Sequence, residues 1–370
     1  MIDAETRVKE LLAKAGIKID GSGPADITIH DKRFYNKAIR YRELGLGESY
    51  MDGWWDAKHV DKFIEKILLF DIRSNVKISP AFLLVAAPAI FNTQSIKKAK
   101  KNAEHHYNIG NDLYTRMLDQ RMIYSCAYWK DAEDLDQAQT NKLDLICKKL
   151  ELKKGMKLLD IGCGWGGFAK FAAMNYGVEV TGITPASEQV KIARAATKGL
   201  SVTILQKDYR EITGKFDRIT SIGMLEHVGP KNYKNFFSIC NKLLKDDGMM
   251  LHHTIADNIA GKYPDPWIGK YIFPGGVLPT LTQISKLVEG NLIIEDVQNI
   301  GPDYDKTLMA WHKNFTSNYH EIKDNYDERF YRMWTYYLLI CAGGFRARHL
   351  QLWQIVMRKR LPAKTYIAAR

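Results

Sequence analysis

The chain has 370 residues, of which 46% are hydrophobic, and a formal net charge of +12. This length suits two domains, or one large domain with an appendage. The longest apolar run, Phe82–Phe91, is interrupted by Pro88 and is shorter than the about 20 residues that cross a bilayer. The positive charge indicates an anionic partner surface, either nucleic acid or acidic lipid headgroups, although a merely soluble basic protein is equally compatible with it.

The five cysteines form no CxxC pair and are odd in number, which favours a reduced protein with free thiols. The first residues, Met1–Glu5, include neither a basic stretch nor an apolar core of the kind found in secretion signals. We therefore expect a cytoplasmic location.

Residues 1–75 are predicted to form a small, mostly helical domain. Apolar spacing predicts a helix over Val8–Ala15, alternation predicts a short strand at Ile27–Ile29, and a second helix is expected over Val60–Leu68. Between them, Gly45–Trp55 is interpreted as a glycine-rich turn pinned by buried tryptophans.

Residues 76–104 are predicted to be a linker. An apolar segment, Pro80–Phe91, precedes the basic cluster Lys97–Lys101. This combination is what an interfacial membrane contact requires. A core helix followed by a solvated run of charge explains it equally well, so both interpretations stay open.

From residue 105 to residue 370 strands and helices alternate, which predicts a parallel sheet covered by helices on both faces. The predicted strands are 157–161, 178–183, 201–206, 216–222, 248–254 and 351–357; the predicted helices are 136–151, 168–176, 187–197 and 230–244. Ligands of such folds bind at the carboxyl ends of the strands. Near the end of the chain, Phe345–Arg370 contains seven Lys or Arg and no acid, which again favours an anionic surface.

A glycine-rich loop joins the first of these strands to the next helix. Gly162, Gly164 and Gly167 fit the G-x-G-x-x-G pattern of dinucleotide folds. A dinucleotide site would require an acid about 20 residues after the first glycine. The following strand instead ends at Thr184, whereas an acid, Asp160, precedes the loop. This arrangement resembles the S-adenosylmethionine pocket of class I methyltransferases; the alternative is an ordinary strand-to-helix turn.

Further segments resemble the cyclopropane-fatty-acyl-phospholipid synthases, a family that includes the mycolic acid cyclopropane synthases. They are Gly45–Trp55, Tyr124–Trp129, Leu158–Gly167, Ser221–Gly229, His253–Ile255, Trp267–Pro274 and Asp303–Trp311. The resemblance covers nearly the whole chain. It implies a class I methyltransferase (Rossmann-like) α/β fold with a seven-stranded sheet and a small N-terminal domain. The implied reaction transfers a methylene from S-adenosylmethionine to the cis double bond of an unsaturated phospholipid acyl chain.

The resemblance also implies that bound bicarbonate acts as the base of this reaction. The matching positions are Cys126, Glu226, His253, the backbone of Ile255, and Tyr304. Without the resemblance, a capping Glu, a buried His and a core Tyr would be the more ordinary interpretations. Cys341 matches a cysteine that is sometimes assigned to the active site in this family, although the chemistry needs no thiolate. No metal is predicted.

The donor is expected to contact residues at the strand ends and in the segment before the first strand. These are Tyr124, Ser125, Asp160, Gly162, Gly164, Thr184, Gln189, Asp208 and Tyr209. The glycines would approach the methionine moiety, with the residues at 124–125 closing over it. The residues at 184 and 189 would replace the usual ribose-binding acid, and those at 208 and 209 would meet the adenine. The acid at 160 would contact the donor amine or only shape the loop.

The expected partners are an anionic phospholipid bilayer with its unsaturated acyl chains and a second copy of the chain, with no nucleic acid. The expected location is the inner face of the membrane, with peripheral attachment. Two alternatives remain open from the sequence. One is a small-molecule or lipid-headgroup N-methyltransferase on the same donor fold, and the other is a non-catalytic, basic membrane- or RNA-binding protein.

Overall fold

The computed structural model describes residues 3–70, 110–259, 265–359 and 365–370. These residues form two compact units. The first comprises 3–70, 265–274 and 304–350; the second comprises 110–259, 275–303, 351–359 and 365–370. The predicted linker 76–104, with its apolar and basic stretches, lies outside the described residues, so the three-part division stays a prediction. No helix within the described ranges is both long and apolar enough to cross a membrane.

The helices and strands are numbered in chain order. They are α1 (Ala4–Lys14), β1 (Ile27–Ile29), α2 (Arg33–Met51), β2 (Trp55–Ala57), α3 (Val60–Leu69), α4 (Asn111–Met117), α5 (Leu135–Lys149), β3 (Lys157–Ile161), α6 (Gly167–Tyr176), β4 (Glu179–Thr184), α7 (Ser187–Ala196), β5 (Val202–Gln206), β6 (Phe216–Ile222), α8 (Leu225–Val228), α9 (Tyr233–Leu243), β7 (Leu244–Asp257), α10 (Pro266–Tyr271), α11 (Leu281–Val288), β8 (Leu292–Asn299), α12 (Gly301–Asn318), α13 (Glu328–Arg346) and β9 (Leu350–Lys359).

The first unit begins as the sequence predicts. Asp3 caps α1 by accepting a hydrogen bond from the N–H of Thr6, and the apolar stripe of that helix is buried. The predicted strand at Ile27–Ile29 pairs antiparallel with β2, and the predicted second helix is α3. These local predictions are confirmed.

The predicted glycine-rich turn at Gly45–Trp55 is wrong for most of its length, because α2 continues to Met51. The turn itself occupies only the residues before β2, whose first residue, Trp55, is fully buried. Neither glycine position in this helix has room for a side chain. A Cβ at Gly45 would collide with the backbone, and one at Gly47 would collide with the Trp267 ring. Close packing, rather than a turn, therefore explains this glycine pair.

The second unit is built on a seven-stranded mixed sheet in the order β5-β4-β3-β6-β7-β9-β8. Strands β3 to β7 are parallel neighbours, whereas β8 and β9 pair antiparallel. The six predicted strands are confirmed. Strand β8 was not predicted, because it is an edge strand that exposes Ile293 and Val297 and so lacks a clean apolar alternation.

The alternation of side chains along the strands supplies apolar groups to two separate cores. Leu158 packs with residues of α5 and α6, whereas its neighbour Leu159 packs with residues of α9 and α11. Successive strand residues point to opposite faces, so one strand contributes to both cores. The carboxyl ends of β3, β4, β6 and β7 are thereby held at one edge of a sheet that is covered on both faces.

The basic segment Phe345–Arg370 does not present all its charge as a free surface. Four of its cations form ion pairs with acids of their own unit: Arg346 with Asp61 and Asp305, Arg358 with Glu295, Lys359 with Asp246, and Arg370 with Asp296. The interpretation of the whole segment as an anion-binding surface is therefore wrong for these four residues. Their partners are distant in sequence, which is why counting acids within the segment missed them.

Candidate active site

The glycine loop follows β3 directly and leaves open space above its backbone. Gly162, Gly164 and Gly166 have φ of 84°, 54° and 83°, values that residues with a side chain rarely adopt. The N–H groups of Gly162 and Cys163 donate to the Ile183 carbonyl at 2.9 and 3.0 Å and tie the loop to β4. A Cβ on Gly164 would meet no atom within 4 Å. The loop thus has room for a ligand against its main chain.

Asp160, the last acid before this loop, is buried at the centre of the sheet edge. Its Oδ1 accepts a hydrogen bond from Thr220 Oγ1 at 3.0 Å, while its Oδ2 has no partner among the described residues. Burial raises the pKa of Asp160 to about 7. A buried oxygen without a hydrogen bond is costly. The Oδ2 atom of Asp160 could accept a hydrogen bond from the amino group of the donor, so this residue fits the predicted ligand.

Thr184 and Gln189 lie together at the end of β4 and the start of α7. The Thr184 hydroxyl donates to Gln189 Oε1 at 2.8 Å, and both side chains are buried. The structure therefore brings together the two residues predicted to replace the ribose-binding acid.

Asp208 and Tyr209 follow β5 but are engaged within the protein. The Asp208 carboxylate forms a bidentate ion pair with Arg210, at 2.6 and 2.7 Å. The Tyr209 ring packs edge-on against Phe236, with 5.2 Å between centroids, and belongs to the core. Their predicted contacts with adenine stay predictions, and the Tyr209 ring contributes to packing in any case.

The segment carrying Tyr124 and Ser125 is held by α5. Gln139 Nε2 donates to the Ser125 carbonyl, and Lys142 Nζ donates to the Ser125 hydroxyl, both at 2.9 Å. Tyr124 packs edge-on against Tyr114, with 5.2 Å between centroids. Neither α5 residue was predicted from the sequence. Their only signal is a spacing of three on one helix face, which apolar periodicity does not reveal.

Tyr114 and Arg121 place this segment beside the glycine loop. The Tyr114 ring packs against Trp165 of the loop at 4.9 Å between centroids. A Cβ at Gly167 would collide with the Arg121 carbonyl. The segment and the loop therefore form one continuous wall, as the prediction that residues 124–125 close over the donor requires.

Glu226 lies in α8, just past the end of β6, and its carboxyl group is buried. Its Oε1 accepts a hydrogen bond from the Ile255 N–H at 2.6 Å, whereas its Oε2 has no partner among the described residues. Burial raises the pKa of Glu226 to about 7. The Ile255 N–H, predicted to face bicarbonate, thus serves to position the carboxyl group in this structure.

His253 is buried in β7 and makes one hydrogen bond through its ring. Gln354 Nε2 of β9 lies 3.3 Å from His253 Nδ1, and His253 Nε2 has no partner among the described residues. In the orientation that the Gln354 amide has here, its nitrogen donates, so Nδ1 accepts and Nε2 carries the proton. Burial lowers the pKa of His253 well below its ordinary value. The ring is therefore a neutral donor directed through Nε2.

His252 occupies the other face of β7, as expected for the adjacent residue of a continuous strand. Its ring packs edge-on against Phe237, with 5.4 Å between centroids.

The unpartnered carboxyl oxygen of Glu226 and the unpartnered N–H of His253 offer an acceptor and a donor. Bicarbonate has both a hydroxyl group and acceptor oxygens, so the two residues fit it chemically.

The remaining three predicted residues are two cysteines and a tyrosine. Cys126 is buried, and its thiol donates to the carbonyls of Ala127 and Ile300 at 3.2 and 3.8 Å. Tyr304 belongs to the first unit, where its ring stacks on Phe345 at 4.5 Å between centroids. Cys341 also belongs to that unit, and burial raises the pKa of its thiol to about 12, so the thiolate is scarce at neutral pH. The catalytic roles of all three stay predictions.

A family described as mycolic acid cyclopropane synthetase matches residues 94–355. The chain belongs to this family. It is 51% identical over 351 residues to the cyclopropane-fatty-acyl-phospholipid synthase of Escherichia coli strain K12, covering 95% of this chain and 92% of that one. It is 38% identical to a probable fatty acid methyltransferase of Pseudomonas putida, over 69% of this chain and 68% of that protein.

Solved structures of the cyclopropane synthetase family have the same fold. The cyclopropane synthase MmaA2 of Mycobacterium tuberculosis is 28% identical, with a TM-score of 0.68, and the match covers 73% of this chain and all of that one. The synthase CmaA1, complexed with SAH and CTAB, is 33% identical, with a TM-score of 0.67, over 70% and 98% of the two chains. The predicted family and the class I methyltransferase fold are confirmed.

We expect the buried carboxyl group of Asp160 to make stability depend on pH. With a folded pKa of about 7, above its ordinary value of 3.8, it favours the folded state at low pH, and this contribution is lost as pH rises through 7. Asp160→Asn stays neutral throughout. Its unfolding free energy relative to the wild type should therefore rise by about 1.4 kcal/mol per pH unit between pH 5 and pH 6, measured by urea unfolding without donor.

Asp217 provides the matched control. Although partial burial disfavours its charge, hydrogen bonds from Lys245 and the Lys157 N–H hold the pKa of Asp217 below its ordinary value. It is thus ionised in both states above pH 5, and the effect of Asp217→Asn should not change over the same range. A flat difference for Asp160→Asn as well would contradict the buried neutral carboxyl group.

Proposed function

We propose that the chain transfers a methylene from S-adenosylmethionine across the cis double bond of an unsaturated phospholipid acyl chain, giving a cyclopropane ring, with bound bicarbonate as the base. That the chain is a methyltransferase of the cyclopropane-fatty-acyl-phospholipid synthase class, as predicted, is confirmed by its relatives. The observation that supports the base is that Glu226 and His253 are both buried and that each has one polar atom with no hydrogen-bond partner among the described residues.

The donor half of the reaction would use the glycine loop. Gly162 and Gly164 leave the main chain bare, so the sulfonium can approach it closely. The unpartnered oxygen of Asp160 would accept a hydrogen bond from the donor amine. The alkene carbon attacks the methyl group, the sulfur–methyl bond breaks, and its electron pair stays on sulfur, which gives S-adenosylhomocysteine.

Methyl transfer leaves a positive charge on the neighbouring carbon of the acyl chain, and water would trap it as an alcohol. The protein must therefore hold the acyl chain in a dry site and in line with the donor methyl. The groups proposed to face the reaction are buried: Glu226, His253 and Cys126 are each at most 6% exposed. This burial supports a site from which water is excluded.

Ring closure removes a proton from the transferred methyl group, and the electrons of that C–H bond form the second bond of the ring. Bicarbonate, when bound, supplies the base for this proton. Glu226 would accept the hydrogen bond of the bicarbonate hydroxyl group through Oε2, and His253 would donate to another oxygen through Nε2. Gln354 would keep His253 in the donating tautomer.

A direct test supplies the purified chain with donor labelled in its methyl group and vesicles of unsaturated phospholipid. Label in base-stable acyl chains supports the synthase. Label in the headgroup supports the N-methyltransferase, and absence of label leaves only the binding protein. Omitting bicarbonate under degassed conditions tests the base separately: turnover should fall, and unchanged turnover would reject bicarbonate while leaving the methylene transfer intact.

The membrane partner is proposed from the sequence, since Lys97–Lys101 lies outside the described residues. Changing Lys97, Lys98, Lys100 and Lys101 to Gln should weaken binding to anionic vesicles at least tenfold at low salt, because each basic residue near such a surface contributes about 1 kcal/mol. Co-sedimentation at two salt concentrations measures this, and the difference should shrink at high salt.

A control variant removes the same charge from four exposed lysines elsewhere in the chain: Lys153, Lys154, Lys170 and Lys198. Equal weakening in both variants would assign vesicle binding to net charge rather than to the basic cluster. The homodimer and the attachment to the inner face of the membrane are likewise proposals. Sedimentation velocity of the purified chain tests the first, and fractionation of cells tests the second.

A further inference from the structure

Lys142 is a buried cation next to the candidate site that no prediction accounts for. Its side chain is 1% exposed, and its ammonium donates to the Ser125 hydroxyl at 2.9 Å. Among the described residues no carboxylate forms an ion pair with it. A buried charge that forms no ion pair is expensive, so such groups are usually paired or bind a ligand of opposite charge.

Lys142 acts on groups of both proposed ligand sites, the donor site and the bicarbonate site. Its ammonium interacts electrostatically with Asp119, Cys126 and Asp160, and it acts on His253. Asp119 accepts hydrogen bonds from the N–H groups of Arg121 and Ile123, and its carboxylate acts on Lys142 without forming an ion pair with it. Burial lowers the pKa of Lys142 to about 8, so it remains mostly protonated at pH 7.

The residues proposed to hold bicarbonate supply no positive charge. Burial lowers the pKa of His253 well below its ordinary value, so its ring is neutral at pH 7, and Glu226 can only add negative charge. A buried anion held by this set alone would be uncompensated. The donor, in turn, carries a carboxylate that would also have to be buried beside Ser125.

We propose that Lys142 is the counter-cation of a carboxylate-type anion bound between Ser125 and His253. The shared chemistry is a small planar oxyanion, which is supplied either by bicarbonate or by the carboxylate of the donor. This inference rests on the function proposed above. It adds a binding residue for the bound anion, and Ser125 then serves to orient the ammonium.

Lys149 is a matched control on the same helix. It is also fully buried and its pKa is also lowered to about 8, but it forms an ion pair with Asp296 at 3.1 Å. Arg370 pairs with the same carboxylate, so Asp296 keeps a partner when Lys149 is replaced. The variants Lys142→Met and Lys149→Met thus both remove a buried charge, but among the described residues only Lys149 has an ion-pair partner.

The experiment measures the binding of ¹³C-labelled bicarbonate by NMR and of S-adenosylhomocysteine by calorimetry, for the wild type and both variants. Lys142→Met should weaken one of the two ligands at least tenfold, and Lys149→Met should weaken neither by more than about twofold. Loss of bicarbonate binding assigns the anion to the base. Loss of S-adenosylhomocysteine binding, with methylthioadenosine unaffected because it lacks the carboxylate, assigns it to the donor.

Unchanged binding of both ligands by Lys142→Met would overturn the inference. Melting temperatures show whether the variants are folded, and Lys142→Gln replaces Lys142→Met if that variant is not. If the wild type binds no bicarbonate, the proposed base is rejected, and the S-adenosylhomocysteine measurement alone decides the role of Lys142.

Discussion

Replacing Glu226 with Gln should lower turnover about 100-fold, the lower end of the range for groups that assist proton transfer, while donor affinity changes little. The amide nitrogen of Gln would present a donor where the carboxyl group offers Oε2 as an acceptor. The bicarbonate hydroxyl group would then have no acceptor, and the base would lose its orientation. The hydrogen bond from the Ile255 N–H can persist to the amide oxygen, so the fold should survive.

The measurement is a single-turnover assay with labelled donor and unsaturated phospholipid, alongside calorimetric titration with S-adenosylhomocysteine. Glu179→Gln is the control, because Glu179 is exposed at the start of β4, at the opposite end of the strand from the site. An equal loss of donor affinity in Glu226→Gln would assign Glu226 to the donor pocket instead. Turnover within a factor of two of the wild type would remove it from the mechanism.

Replacing Gly164 with Ala should reduce donor affinity at least tenfold and lower stability by only about 1 kcal/mol. The φ of 54° at this position accounts for the cost in stability, because a side chain is strained there. The added methyl group would meet no protein atom within 4 Å. It would therefore occupy space that, by the proposal, belongs to the donor.

Gly199→Ala separates strain from occlusion. Gly199 has a φ of 81°, and its added Cβ would also meet nothing within 4 Å, but it lies in an exposed turn before β5. Both variants should lose similar stability in urea unfolding, and only Gly164→Ala should lose affinity for S-adenosylhomocysteine. If the two variants bind it equally well, the donor does not lie against Gly164.

The amino-acid sequence was sufficient wherever the decisive interactions are local. The strand from Lys157, the glycine loop and the following helix are encoded within 20 residues, so their bounds were predicted nearly to the residue. Thr184 and Gln189, five positions apart, were predicted to share one role, and a hydrogen bond joins them in the structure. A catalytic role for Glu226 and His253 could be predicted only through the family resemblance, since each alone resembles an ordinary buried polar residue.

Tertiary structure decided the features that depend on distant partners. Gln354 is 101 positions from His253, so the tautomer of the histidine could not be read from either segment. Helix α2 passes through Gly45 and Gly47 because neighbouring groups leave no room for side chains there. From the sequence alone Lys142 would be taken for a solvated lysine, and only the packing of α5 onto the sheet shows that it is buried. Periodicity reports which face of an element is apolar, whereas the charge balance of a site depends on which residues the fold brings together there.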